Sequence, residues 1–221
     1  MITLRAGSLH RIVAGHIVTV APNKHWRHAG HPYLSGQITG ARIDAAALGL
    51  VPLALRAAGA WDAGVEDRAE PGWRPQRAFE LEVPSIPTEL AAAHIDDPDM
   101  VAEKLLEADL RFLDAHAYRG GRLMTLSPQW ALQHYEVGVG IGQLSVGNDF
   151  DGVLPGELAG NRGLLRCLSG YASCLWRLDR RDEAARVFDR TLRFDPADHQ
   201  GVRPLLSAMH AGDPWSDRER S

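Results

Sequence analysis

The chain has 221 residues, 45% of them apolar and 24% charged, with a formal net charge of −4. Those values fit a globular chain of one domain or two small ones. Taken over the whole length, they give no electrostatic reason to expect nucleic acid or an anionic membrane as a partner.

The longest apolar run, Ala45 to Leu55, is interrupted by Pro52 and is too short to span a membrane. The N-terminus lacks the basic-then-apolar order of a signal peptide. Cys167 and Cys174 fall on one predicted helix, about 10 Å apart along its axis, beyond disulfide reach. Reduced thiols and a cytoplasmic location are therefore expected.

Residues 1–95 read as an irregular segment. Arg11 to Val20 is rich in β-branched residues around a central Ala-Gly, which suits one strand or a small hairpin. A histidine-rich loop, KHWRHAGHPY, follows. Residues 42–60 have helix-forming composition, interrupted by Gly49 and Pro52. Residues 62–77 are charged and rich in Gly and Pro, as in a linker or irregular loop. The alternation of FELEVP at 79–84 predicts an isolated strand.

From residue 96 the pattern turns helical. Asp97-Pro98 is an N-cap followed by a first-turn proline, and it opens a helix expected over Asp99–His116. Gly120-Gly121 is expected to end the following connection. Ser127-Pro128 repeats the start signal for a helix over Gln129–Val146, with Gly138, Gly140 and Gly142 as a small-residue ridge. Residues 149–160 read as a loop. A final helix is expected over Asp198–His210, and the terminal SDRERS reads as a frayed end.

Between these lies Leu164 to Pro196, two amphipathic segments joined by the charged turn Asp179 to Asp182. Leu164, Leu165, Leu168, Tyr171, Ala172, Leu175 and Leu178 form one stripe; Ala184, Val187, Phe188, Thr191, Leu192 and Phe194 form the other. Asp195-Pro196 stops the second helix.

This stretch resembles a tetratricopeptide repeat, a family with a period of about 34 residues. Ala184, Phe188 and Pro196 stand at its small, aromatic and closing-proline positions; Leu168 stands for its tryptophan and Thr191 for an alanine. The resemblance implies a mainly α fold for 96–215, built of antiparallel helical hairpins. It also implies a non-enzymatic protein- or peptide-binding role. The inner helices of such repeats line a groove, and by resemblance Arg166, Ser169, Ser173, Trp176, Arg177 and Arg203 would face it. The plainer alternative is a solvated helix face with snorkelling arginines.

Catalytic signals are weak. His25, His28 and His31 are spaced H-x2-H-x2-H, without a cysteine or nearby carboxylate cluster to complete a metal site. They nevertheless mark the competing reading, a metal-binding or enzymatic site in the N-terminal segment. Gly138 to Gly142 lacks the strand and the Lys-Ser/Thr ending of a phosphate loop. His134 and Glu136 lie on different helix faces, and Ser127 and Ser169 have no nucleophile elbow. The expectation is no catalytic residue, no cofactor and no metal. The expected partner is a protein or peptide, not nucleic acid or membrane, with homo-oligomerisation through the hairpin face as a further possibility.

Overall fold

A computed structural model of the chain describes residues 2–7, 12–61, 76–93 and 95–215. The linker expected over 62–77 lies almost wholly outside these residues, as do Arg11 of the first expected strand and the terminal SDRERS.

The expectation of a mainly α protein with an irregular N-terminal segment is corrected: the protein is α/β, about 46% helix and 23% strand among the described residues. Strands β1 (Thr3–Ala6), β2 (His16–His28) and β3 (His31–Ile43) form one sheet in the order β1-β3-β2. β2 and β3 are antiparallel, whereas β1 runs parallel to β3. Strands β4 (Leu55–Trp61) and β5 (Gln76–Leu81) form a second, antiparallel pair.

The expected histidine loop is the far end of a long hairpin. β2 and β3 are 13 residues each and turn at Ala29-Gly30, both in the left-handed region. Two positive φ values in succession suit the twist of a tight hairpin turn. The strand pattern is hard to see because register shifts at Thr19/Val20 and Pro22/Lys24 break the alternation. Pro22 sits beside one of those irregularities, where a missing N–H does least harm.

The alanine-rich stretch at 42–60 is not a helix. It holds the end of β3, turns through Asp44 to Gly49, and then enters β4. Here strand pairing overrides local propensity, since Leu55 and Arg56 pair with Leu81 and Glu80. β5 is accordingly not isolated, and Ala78 also bridges to Val153.

Seven helices follow among the described residues: α1 (Thr88–Ala92), α2 (Pro98–Ala108), α3 (Leu113–Met124), α4 (Pro128–Val146), α5 (Ala159–Arg177), α6 (Arg181–Phe194) and α7 (Val202–His210). Asp97 and Ser127 cap α2 and α4 with their side chains. The single helix expected over 99–116 is two helices, broken at Asp109. That carboxylate accepts from the Arg111 backbone N–H (2.8 Å) and from its guanidinium, and so holds the corner. Gly120 and Gly121 lie inside α3 instead of ending it. The Tyr135 ring lies over Gly120, 2.6 Å from where a Cβ would stand, so only glycine fits.

One hydrophobic cluster joins both parts of the chain: Leu53 and Leu81 pack with Leu113, Val137, Ile141, Leu154, Leu164 and Phe194. Asn161 ties the second sheet to α5. Its carboxamide accepts from Leu81 N–H (3.0 Å) and donates to the Phe79 (2.9 Å) and Pro155 (3.1 Å) carbonyls. The Gly138–Gly142 ridge serves close packing, with Cys167 against Gly138 and Leu164 against Gly142. No helix among the described residues is long and apolar enough to cross a membrane.

Candidate functional site

A cleft of about 900 Å³, open to solvent, lies where α3, α5 and the start of α7 face one another. Its walls include Asp114 and Tyr118 from α3, Arg166 and Ser169 from α5, and Gln200 and Leu205 from the α7 region. Tyr135 of α4 closes the floor, with its ring against Gly120 and Gly170. The three wall helices are alternate, not successive, elements. A row of polar and aromatic groups thus faces one channel without belonging to one sequence motif.

The six residues expected to face a partner take different positions. Arg166 is exposed at the cleft and donates to Asp114 Oδ1 (2.8 Å). Ser169 also lines the cleft. Ser173 is fully buried, its hydroxyl donating to the Ser169 carbonyl one turn back (2.8 Å). Trp176 is buried and meets Trp215 edge to face, ring centres 5.2 Å apart. Arg177 donates to the Met124 carbonyl (2.6 Å), satisfying an acceptor at the end of α3. Arg203 is exposed in the first turn of α7, near Pro196 and Asp198.

The structure therefore brings Arg166 and Ser169 into one cleft and builds Ser173 and Trp176 into the packing. The physical reason is that α5 is central. Of its 19 residues 14 are buried, so off-stripe positions such as Ser173 and Trp176 meet neighbours instead of solvent. Asp114, Tyr118, Gln200 and Leu205 had no sequence signal of their own. The clue that was available was glycine inside a helical pattern, as at Gly170, which marks a close approach.

The three histidines do not converge. His28 pairs with His31 across the hairpin tip, while His25, three residues back and so on the other face, pairs with Leu34. The cluster of possible ligand atoms among the described residues is instead Glu157, Asp195 and His199, with atoms within 4.8 Å of one another. Asp195 is buried and already engaged. It accepts from Gly156 N–H (3.1 Å), His199 N–H (2.8 Å) and His199 Nδ1 (2.9 Å), clamping the 150s loop to the end of α6.

Two more histidines lie inside. His116 donates from Nε2 to the Leu110 carbonyl (2.9 Å), which leaves Nδ1 unprotonated and buried without a partner. Burial pushes its pKa down to about 4. Burial, then the nearby His116, Arg119 and His16, also lower His134 to about 4. Burial pushes the Cys167 thiol up, and its Sγ donates to the Leu113 carbonyl (3.4 Å), so it is no nucleophile at neutral pH. Comparison with protein-family models, with curated proteins and with solved structures found no match.

Proposed function

We propose that the helical half is a non-enzymatic interaction module that holds an extended peptide of a partner protein in the cleft between α3, α5 and α7. The observation that carries this reading is the cleft itself. Three alternate helices face one open channel of about 900 Å³, lined by Tyr118, Arg166, Ser169 and Gln200. Such side chains can exchange hydrogen bonds with a peptide backbone, while Leu205 and the Tyr118 ring offer apolar contact for its side chains. The resemblance of Leu164–Pro196 to a tetratricopeptide repeat agrees with this use of the inner helices. Asp114 and Arg166 satisfy each other in the free protein, and their exposure leaves them able to exchange partners at little energetic cost.

The test is selection from a random-peptide library displayed on phage, followed by titration of the enriched peptides. Micromolar binding is expected, weakened at least tenfold by Arg166→Glu or by Gln200→Ala with Tyr118→Ala. Arg186→Glu, on the exposed side of α6, should leave it unchanged. No enrichment, or peptides indifferent to all cleft substitutions, would sink the reading. The Arg177→Glu variant is a poor probe, because it orphans the Met124 carbonyl and disturbs the fold.

A further inference from the structure

The summed charge of −4 conceals a strong segregation. Of the 24 Lys and Arg in the chain, five lie before Asp44: Arg5, Arg11, Lys24, Arg27 and Arg42. Not one of the 28 Asp and Glu lies there, so the remaining 19 cations face all 28 acids. Residues 1–43 therefore carry +5 on a chain whose remainder is −9. Such asymmetry is a statement about partners, not about fold.

The sheet register places part of this charge on one face. Beyond the second register shift, the pairs Lys24–Ser35, Trp26–Tyr33 and His28–His31 share a side. Arg5 pairs with Ser35 from β1 and joins the same side. The Trp26 and Tyr33 rings stack at 5.3 Å, only 11° from parallel. Arg5 lies over both rings at 5.7 Å, and Lys24 over Trp26 at 5.7 Å. Arg5, Lys24, Arg27, His28 and His31 are exposed, and Trp26 and Tyr33 are half-buried. The sheet meets the helices at its other end, where Ile43 approaches Gly140 and Val137 approaches Gly15.

We propose that this hairpin face binds single-stranded nucleic acid without sequence preference. Stacked aromatics beside cations are what such a partner needs. Every base has a face to stack on a ring or on a guanidinium, and each phosphate meets Lys24 or Arg5. The proposal is independent of the peptide cleft, which lies on α3, α5 and α7, and either can fail alone.

The test uses the full chain, purified without a histidine tag, and a labelled 20-nucleotide oligothymidylate followed by fluorescence anisotropy. A Kd on the order of 10⁻⁵ M is expected at 50 mM salt. With about two phosphates neutralised, binding should weaken about sevenfold at 200 mM salt. Arg5→Glu with Lys24→Glu should weaken it at least tenfold. The same charge change on α6, Arg186→Glu with Arg193→Glu, should alter it less than threefold. Trp26→Leu, checked by circular dichroism for retained structure, should cost a further threefold or more if stacking contributes. Absence of binding at 50 mM salt would overturn the proposal, as would equal sensitivity to the hairpin and α6 pairs. Tighter binding to duplex than to single strand would overturn the stacking role. Binding to vesicles containing phosphatidylserine, with none to the oligonucleotide, would reassign the face to membranes.

Discussion

The sheet of β1–β3 and the helices from α3 to α7 are held together by different physics. In the helical half, buried apolar side chains dominate: Leu164, Leu165, Leu168, Leu175 and Phe188 are almost wholly removed from water. Glycines there let chains touch, and polar side chains such as Ser173 and Asn161 are satisfied by backbone groups. Along the distal hairpin, by contrast, the strands rest on ladder hydrogen bonds and on cross-strand pairs such as Trp26–Tyr33. A region stabilised by burial cannot easily spare its side chains for a ligand. A region that leaves them exposed can, at the expense of its own stability.

The most damaging single change should be Asn161→Ala. It removes the acceptor of Leu81 N–H and a donor to the Phe79 and Pro155 carbonyls at the seam between the second sheet and α5, where Pro155 keeps the Leu158 N–H (3.1 Å). A loss of about 4 kcal/mol is expected by urea denaturation, since buried orphan groups cost about 1–3 kcal/mol each. A loss below about 1 kcal/mol would show that water or rearrangement replaces the carboxamide.

Acid should act next, and on the helical half. His116 and His134 are held neutral with pKa values of about 4, below that of an unfolded histidine at about 6.5. Between those values the unfolded chain binds more protons, so stability falls as the pH drops from about 6.5 towards about 4. The loss should reach about 3 kcal/mol for His116 alone, read as a falling urea midpoint between pH 7 and pH 4.5. A midpoint independent of pH over that range would contradict the buried, neutral assignment.

A smaller and more local effect is expected in the hairpin. Trp26→Ala removes a stacked pair and its cation contacts, about 1 kcal/mol. Amides of residues 24–35 should exchange faster while those of α5 keep their protection. Uniform acceleration in both regions would mean that the sheet and the helices unfold as one unit. The smallest effect belongs to Arg166→Ala. It removes an ion pair whose partners are about half exposed, and should change stability by less than about 0.5 kcal/mol. That makes it a clean probe of the cleft.

Much of the helical half was legible in the residues themselves. Asp97-Pro98 and Ser127-Pro128 mark real helix starts because a cap is a local event, completed within one turn. The charged turn at Asp179 and the stop at Asp195-Pro196 are local in the same way, and α6 runs between them as Arg181–Phe194. The site was less legible. Arg166 and Ser169 could be placed on the right helix, but the residues opposite them come from α3 and α7, distant in sequence.

Tertiary structure alone decided the rest, wherever a partner strand or helix outweighed local preference. The alanines of 42–60 favour helix in isolation. They enter a turn and a strand because β5 supplies hydrogen bonds and because Gly49 takes a positive φ. The histidines of the hairpin read as a loop until β3 pairs with them across two register shifts. Ser173 and Trp176 read as surface until helices close around α5 on several sides. Composition and short-range pattern determine caps, turns and amphipathic stripes, because those depend on neighbours within a few residues. Which face stays wet depends on contacts between residues far apart in the chain, and those exist only once the fold has formed.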